Sequence, residues 1–149
     1  MLYSLRIYHN RERYALVSWN WPTEFPEDCP PTQALAANGS YYRIVKSDTR
    51  GRDDFVPLYV QSKRRAELEV RKGRRTLCET FGLSVFSDRN DAVQCASQYP
   101  NIGNMIANVN PTSSCGKILH TGGRFASHYT WWIVEGFDPT TVVSEVHSL

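Results

Sequence analysis

The sequence predicts an α+β domain built mostly on antiparallel sheet, and three observations lead to this prediction. Short segments rich in aromatic and β-branched residues recur along the chain. Turn-forming residues separate them, and only about two segments have the pattern of a helix. The 149 residues are 41% hydrophobic and 21% charged, a composition that suits one domain, residues 1–149, with a core of its own.

The first third of the chain predicts three strands and a proline-rich connection. The segments "LYSLRIY" (2–8) and "YALVSW" (14–19) are strand-like, and the polar "HNRER" between them predicts a turn. Residues 20–33 contain four prolines, which cannot donate hydrogen bonds to a sheet, so a covering loop or a docking arm is expected there. The segment "SYYRIVKSD" (40–48) returns to strand character.

The middle of the chain contains both predicted helices. Residues 55–60 are apolar but interrupted by Pro57. Residues 62–82 fit strand alternation and helical spacing in different places, and we predict a helix at the start and leave its end open. "GLSVFSD" (82–88) predicts a strand, and a helix follows, with Ser87 or Asp88 as its cap and Pro100 beyond its end.

The last third predicts further strands at 104–110, 116–122 and 128–135. "DPTTVV" begins with an Asp-Pro start signal, and "SEVHS" is suited to closing an edge of the sheet.

The segment "HYTWWIVE" places aromatic residues on both faces of its strand, which predicts a central strand covered on both sides. His128, Thr130 and Trp132 share one face, and Tyr129 and Trp131 share the other. Two interpretations remain open. Both tryptophans belong to the core, or the strand lines a cleft whose floor carries His128 and Thr130.

Basic residues supply three further candidates. Arg43 lies in the middle of a predicted strand and must meet a carboxylate or an anionic ligand if it is buried. His120, the glycines of "HTGGR" and Arg124 form either an ordinary hairpin or a loop that holds a phosphodiester. The run Lys63–Arg75 is either a solvated surface or a contact to nucleic acid.

Several classes of protein are disfavoured. The net charge of +2 does not by itself mark a nucleic-acid binder. The four cysteines lack zinc-ligand spacing, so no metal site is expected. The sequence shows neither an export signal nor a membrane span, which predicts a cytoplasmic protein with reduced thiols. A hydrolase serine is disfavoured because no G-x-S-x-G segment occurs.

Three segments, "YYRIVKSD", "GLSVFSDRNDAVQCA" and "HYTWWIVEGFDPTTVV", together resemble the layout of the ADP-ribosyltransferase-like fold over roughly residues 40–148. The resemblance implies NAD as the substrate and no metal. It implies that Arg43 binds the phosphates or a ribose, that Ser84 holds the ribose on the nicotinamide side, and that His128 takes the catalytic position. Tyr129, Trp131 or Trp132 would then stack on the nicotinamide. The family's usual glutamate is replaced here by His-Tyr-Thr, and Glu135 lies seven residues on.

Two alternatives from other classes remain. A metal-independent ribonuclease, such as a toxin, would use His120 and His128 as general base and acid and Arg124 or Lys117 to stabilise the phosphorane. A non-catalytic module that binds or inhibits a protein partner would use exposed aromatic and arginine side chains as anchors.

Overall fold

The computed structural model describes residues 19–149, and a seven-stranded antiparallel sheet is its centre. The predicted strands at 2–8 and 14–19 lie outside the described residues, except for Trp19. The other predicted strands are confirmed, and a two-residue edge strand is added. The strands are β1 Leu35–Ala36, β2 Tyr41–Val45, β3 Leu83–Phe86, β4 Met105–Val109, β5 Gly116–His120, β6 His128–Ile133 and β7 Val143–Ser148.

The strands lie in the order β1-β5-β6-β3-β2-β4-β7, and every neighbouring pair is antiparallel. The prediction of an α+β fold with mostly antiparallel sheet is therefore confirmed. β6 lies between β5 and β3, which confirms that the tryptophan-bearing strand is internal. The three segments that carry the family resemblance supply β2, β3 and β6, which are consecutive neighbours in the sheet.

Within residues 19–149, four α-helices connect the strands, and the two long ones are those expected from the sequence. Ser62 caps the first of these by accepting a hydrogen bond from the Arg65 N–H, and Asp88 caps the second through the Asn90 N–H. The other two are single turns that sequence periodicity does not detect. The helices are α1 Leu58–Gln61, α2 Lys63–Arg71, α3 Leu77–Thr80 and α4 Arg89–Gln98.

The two faces of the sheet carry different clusters. We call the face on which Ile44 and Phe86 pack against Ala92 and Ala96 of α4 the α4 face. We call the opposite face the cleft face; its apolar cluster is larger, and Phe55 packs against the sheet there. The sheet residues of that cluster include Val45, Leu83, Val85, Ala107, Val109, Ile118 and Trp131.

Trp131 and Trp132 point to opposite faces, and both are 0% exposed. The interpretation of both as core residues is therefore confirmed. On the α4 face, the Trp132 indole N–H donates to the Cys78 carbonyl over 2.9 Å. Neither ring presents an exposed surface on which a nicotinamide could stack, so the stacking role that the resemblance implies for them has no support.

A disulfide joins Cys29 to Cys78 and ties the proline-rich segment to α3. The expectation of reduced thiols is wrong for this pair, because the two chain segments fold together against Trp132 and bring both sulfurs into contact. Cys95 and Cys115 remain free and buried. Structural disulfides are typical of oxidising compartments. The cytoplasmic location therefore stays a prediction, and this observation weighs against it.

The basic run from Lys63 to Arg75 forms the surface of α2 and the following turn, and most of its side chains are exposed. Two of them pair with acidic neighbours, Lys63 with Glu67 at 4.0 Å and Arg74 with Glu69 at 3.2 Å. This arrangement favours a solvated surface, and nucleic-acid binding stays a prediction. Among the helices within residues 19–149, none has the length and apolar character that a membrane crossing requires.

Candidate functional site

The eight side chains predicted for a site are divided between the two faces of the sheet and one loop. The alternation of side chains along each strand decides the face. Ser84, His128 and Trp132 lie on the α4 face, where Ser84 pairs with Thr130 and His128 pairs with Phe86 across the strands. Arg124 lies in the loop that joins β5 to β6. The cleft face carries Arg43, His120, Tyr129 and Trp131.

A chain of four polar side chains forms the centre of the α4 face. His128 Nε2 lies 2.9 Å from Ser84 Oγ, and His128 Nδ1 lies 2.7 Å from Thr121 Oγ1. Thr121 Oγ1 in turn lies 3.0 Å from Thr130 Oγ1. Either tautomer of His128 satisfies both of its ring nitrogens, because each hydroxyl partner can donate or accept. Ser84, Thr121 and His128 are half-buried, so a ligand can reach them, whereas Thr130 is buried.

The imidazole of His128 is neutral at physiological pH. Burial lowers its pKa from 6.5 to about 4, and the positive charges of Arg75 and His120 act in the same direction. The hydroxyl groups of Ser84 and Thr121 can hydrogen-bond to the neutral ring, so the ring need not be protonated to satisfy its nitrogens. His128 is therefore a fixed hydrogen-bonding group at neutral pH, and it is a weak proton acceptor.

Arg75 is the positive group of this region that the sequence does not single out. It lies in the connection between α2 and α3 and is half-buried. Its positive charge lowers the pKa values of His128 and Arg43 and acts against the raised pKa of the Cys95 thiol, so it lies within electrostatic reach of the Ser84–His128 pair. Within residues 19–149, no hydrogen bond or ion pair joins its guanidinium to another side chain. Such a cation is available to an anionic ligand.

Arg43 does not lie beside His128, so the expectation that both residues bind one NAD molecule in a common pocket is wrong. β2 and β3 pair only at Tyr42 and Phe86 and then diverge. The Arg43 guanidinium fills the gap, donating from Nε to the Asp54 carbonyl and from Nη1 to the Ser84 carbonyl, each over 2.8 Å. It also lies 5.7 Å from the centre of the Phe55 ring. The expectation that Arg43 meets a carboxylate or an anion is wrong as well, since backbone carbonyls are its partners.

His120 and His128 are likewise on opposite faces, because β5 and β6 align His120 with Tyr129. The His120 ring contacts the Tyr129 ring at 4.9 Å between centroids, and its Nε2 meets the Ala126 carbonyl. Tyr129 also contacts Tyr41, with 5.3 Å between ring centroids. The two imidazoles cannot act on one phosphodiester as general acid and base from opposite sides of a sheet. The ribonuclease alternative thus loses the pair on which it depends.

Arg124 is engaged at the surface rather than in a site. Gly122 and Gly123 adopt φ of +59° and +97°, as expected for the loop. The loop directs Arg124 to the end of α4, where its guanidinium donates to the Tyr99 hydroxyl and lies 5.6 Å from the centre of the Tyr99 ring. A role for Arg124 in phosphate binding stays a prediction.

The arrangement on the α4 face can bind hydroxyl groups and an anion, but it contains few groups suited to acid–base chemistry. Ser84, His128 and Thr121 stand in the order of a nucleophile, a base and an orienting group. The low pKa of His128 makes it a poor base for activating Ser84, however. Glu135 does not help, because it lies beyond the end of β6, and the strand already separates Ile133 from His128 by about 17 Å.

Two participants of this site, Thr121 and Arg75, were missed at the level of sequence. Thr121 follows β5 directly, and extending the alternation of β5 by one residue would place it on the same face as Thr130. Arg75 is one of seven basic residues between 63 and 75, and nothing in that run distinguishes it.

Comparisons with models of protein families, with curated proteins and with solved structures find no match to this chain. The ADP-ribosyltransferase-like resemblance therefore stays a prediction that depends on the residues quoted above.

We expect His128 to make the protein less stable in acid. Because its folded pKa of about 4 lies below the value of 6.5 for an unperturbed histidine, the unfolded chain binds more protons between these values, and stability falls as the pH falls. The loss is complete below about pH 4. At ~1.4 kcal/mol per pH unit of pKa shift, the free energy of unfolding can fall by at most about 3 kcal/mol. Because His128 is partly exposed, we expect a loss of about 2 kcal/mol.

Urea unfolding of the wild type and of His128→Gln at pH 7 and pH 4.5 measures this effect. The wild type should lose about 2 kcal/mol more than the variant between the two pH values. Equal losses would show that His128 titrates as a solvent-exposed imidazole.

Proposed function

We propose that the protein is an ADP-ribosyltransferase-like enzyme that binds NAD on the α4 face and either transfers ADP-ribose to an acceptor or cleaves off nicotinamide. One observation carries the proposal. The serine of the middle strand and the histidine of the late strand, which the resemblance assigns to one ligand, are hydrogen-bonded to each other at 2.9 Å. They come from segments 44 residues apart, and both are accessible from the same side of the sheet.

The chemistry of the site suits a ribose carrying a phosphate. Ser84, Thr121 and the neutral His128 donate to and accept from sugar hydroxyls. Arg75, which no carboxylate neutralises among the described residues, attracts the pyrophosphate. In the proposed site Arg75 takes the role that the resemblance assigns to Arg43, because the Arg43 guanidinium is bound to backbone carbonyls.

The proposed reaction breaks the bond between nicotinamide and the ribose, and positive charge develops on the ribose ring as it breaks. A protonated histidine beside that ring would oppose the charge. The low pKa of His128 keeps it neutral, so it can orient the ribose without this penalty. Among residues 19–149, no carboxylate is hydrogen-bonded to the side chain of Ser84 or His128, so rate acceleration depends on binding and orientation.

Calorimetric titration with NAD, together with chromatographic detection of nicotinamide, tests the proposal. Wild-type protein should bind NAD and release nicotinamide, and Arg75→Ala should weaken NAD binding at least about tenfold by removing a charge-assisted hydrogen bond. Arg64→Ala is the matched control, because Arg64 is exposed in the same basic run. Ser84→Ala and His128→Gln should reduce nicotinamide release.

Two results would contradict the proposal. One is the failure of folded wild-type protein to bind NAD. The other is NAD binding that Arg75→Ala, Ser84→Ala and His128→Gln leave unchanged, which would locate the nucleotide elsewhere. The binding-module alternative then remains, and isolation of a tight complex with a protein partner, without turnover of NAD, supports it.

A further inference from the structure

A cleft of about 190 Å³ opens on the cleft face, at the end of β6 far from His128. Its walls are mainly aromatic and apolar. The proline-rich segment contributes Phe25 on one side, and the connection after β6 contributes Phe137 on the other. Phe25 and Phe81 both line the cleft, and their rings meet edge to face with 5.6 Å between centroids. The aromatic residues of the lining are Phe25, Phe55, Phe81, Trp131 and Phe137.

Among residues 19–149, the charged side chains that line the cleft are all acidic. Glu24 and Glu135 lie at the mouth of the cleft, and both are exposed. The backbone N–H of Glu135 donates to the Asn20 carbonyl over 2.8 Å, which fixes this residue beside the proline-rich segment. No hydrogen bond or ion pair engages either carboxylate within residues 19–149, and no lysine, arginine or histidine belongs to the lining. The cleft is therefore complementary to a cation.

Trp131 forms the buried floor of the cleft. Its side chain is 0% exposed and belongs to the lining. Its indole N–H is buried without a hydrogen-bond partner among residues 19–149, so the ring contributes an apolar surface rather than a donor to a ligand.

We propose that this cleft binds a compact quaternary ammonium compound such as choline. The faces of aromatic rings attract organic cations, most strongly where water is excluded. The two carboxylates at the mouth also attract the positive charge of such a ligand. The volume of about 190 Å³ accommodates a trimethylammonium group with a short alcohol arm. The site is independent of the NAD site, which lies on the opposite face of the sheet.

The test compares choline with its uncharged carbon isostere, in which a carbon atom replaces the ammonium nitrogen, by calorimetric titration of the full chain. Shape, volume and hydroxyl group are the same in both compounds, so the difference in affinity reports the charge. Choline should bind at least about tenfold more tightly than the isostere. The double variant Glu24→Gln, Glu135→Gln should lose most of this preference.

Glu145→Gln is the matched control, because Glu145 is an exposed carboxylate on β7 outside the cleft, and it should keep the preference. Circular dichroism verifies that each variant is folded, which is expected for substitutions at exposed positions. Absence of saturable choline binding to the folded wild type overturns the proposal. Equal affinity for choline and the isostere, or a preference that the double variant retains, also overturns it. None of these results bears on NAD binding.

Discussion

Replacing Arg43 by alanine should lower the free energy of unfolding by about 3 kcal/mol. The substitution removes the donors that satisfy the carbonyls of Asp54 and Ser84, and each part-buried acceptor left unpaired costs about 1–3 kcal/mol. Burial of the guanidinium, the main cause that lowers the pKa of Arg43 to about 10, is itself unfavourable. Its removal offsets part of the loss.

Urea unfolding at neutral pH measures the change, with Arg43→Gln and Arg64→Ala for comparison. The glutamine amide can still donate to one of the carbonyls and should lose less than alanine. Arg64 is exposed, and its substitution should change stability by less than about 0.5 kcal/mol. If Arg43→Ala were as stable as the wild type, the guanidinium would be free to serve a ligand.

The fold could be predicted in outline from local pattern because alternation and helix caps are local signals. Strands β2 to β7 follow segments of aromatic and branched residues, and α4 follows the Asp88 cap. The pattern could not predict α1 and α3, since one turn of helix is shorter than any reliable period. It also could not predict the order of the strands, which depends on pairings between distant segments.

The candidate site also shows that local pattern does not determine how distant strands pair. Alternation within β6 correctly separated His128 from Tyr129, and alternation within β3 separated Ser84 from Val85. Whether Arg43 shares a face with His128 depends on the register between β2, β3 and β6. The residue pattern within one segment does not determine that register. The register places them on opposite faces, although both contact Ser84. Arg43 bonds the Ser84 carbonyl oxygen, and His128 bonds the Ser84 hydroxyl.

The disulfide escaped prediction for a related reason. Cys29 and Cys78 are 49 residues apart, and only the folding of the proline-rich segment onto α3 and Trp132 brings them together. At the level of sequence, four widely spaced cysteines do not indicate which of them pair.

Removing this disulfide should have the largest effect on stability. The double variant Cys29→Ser, Cys78→Ser should lose about 4 kcal/mol, because opening a loop of this length frees the unfolded chain to adopt many more conformations. The native state also loses the tether that holds the proline-rich segment against Trp132. The same segment supplies Phe25 and Glu24 to the cleft, so choline binding should weaken together with stability.

Urea unfolding with and without a thiol reductant separates the disulfide from other consequences of the substitutions. Reductant should destabilise the wild type by about the same 4 kcal/mol and leave the double variant unchanged. Cys95 and Cys115 are buried free thiols in both proteins, so any effect of the reductant on them is the same in both and cancels in the comparison. A wild type whose stability is insensitive to reductant, with four titratable thiols after unfolding without it, would show that Cys29 and Cys78 are reduced and would restore the expectation of a reducing compartment.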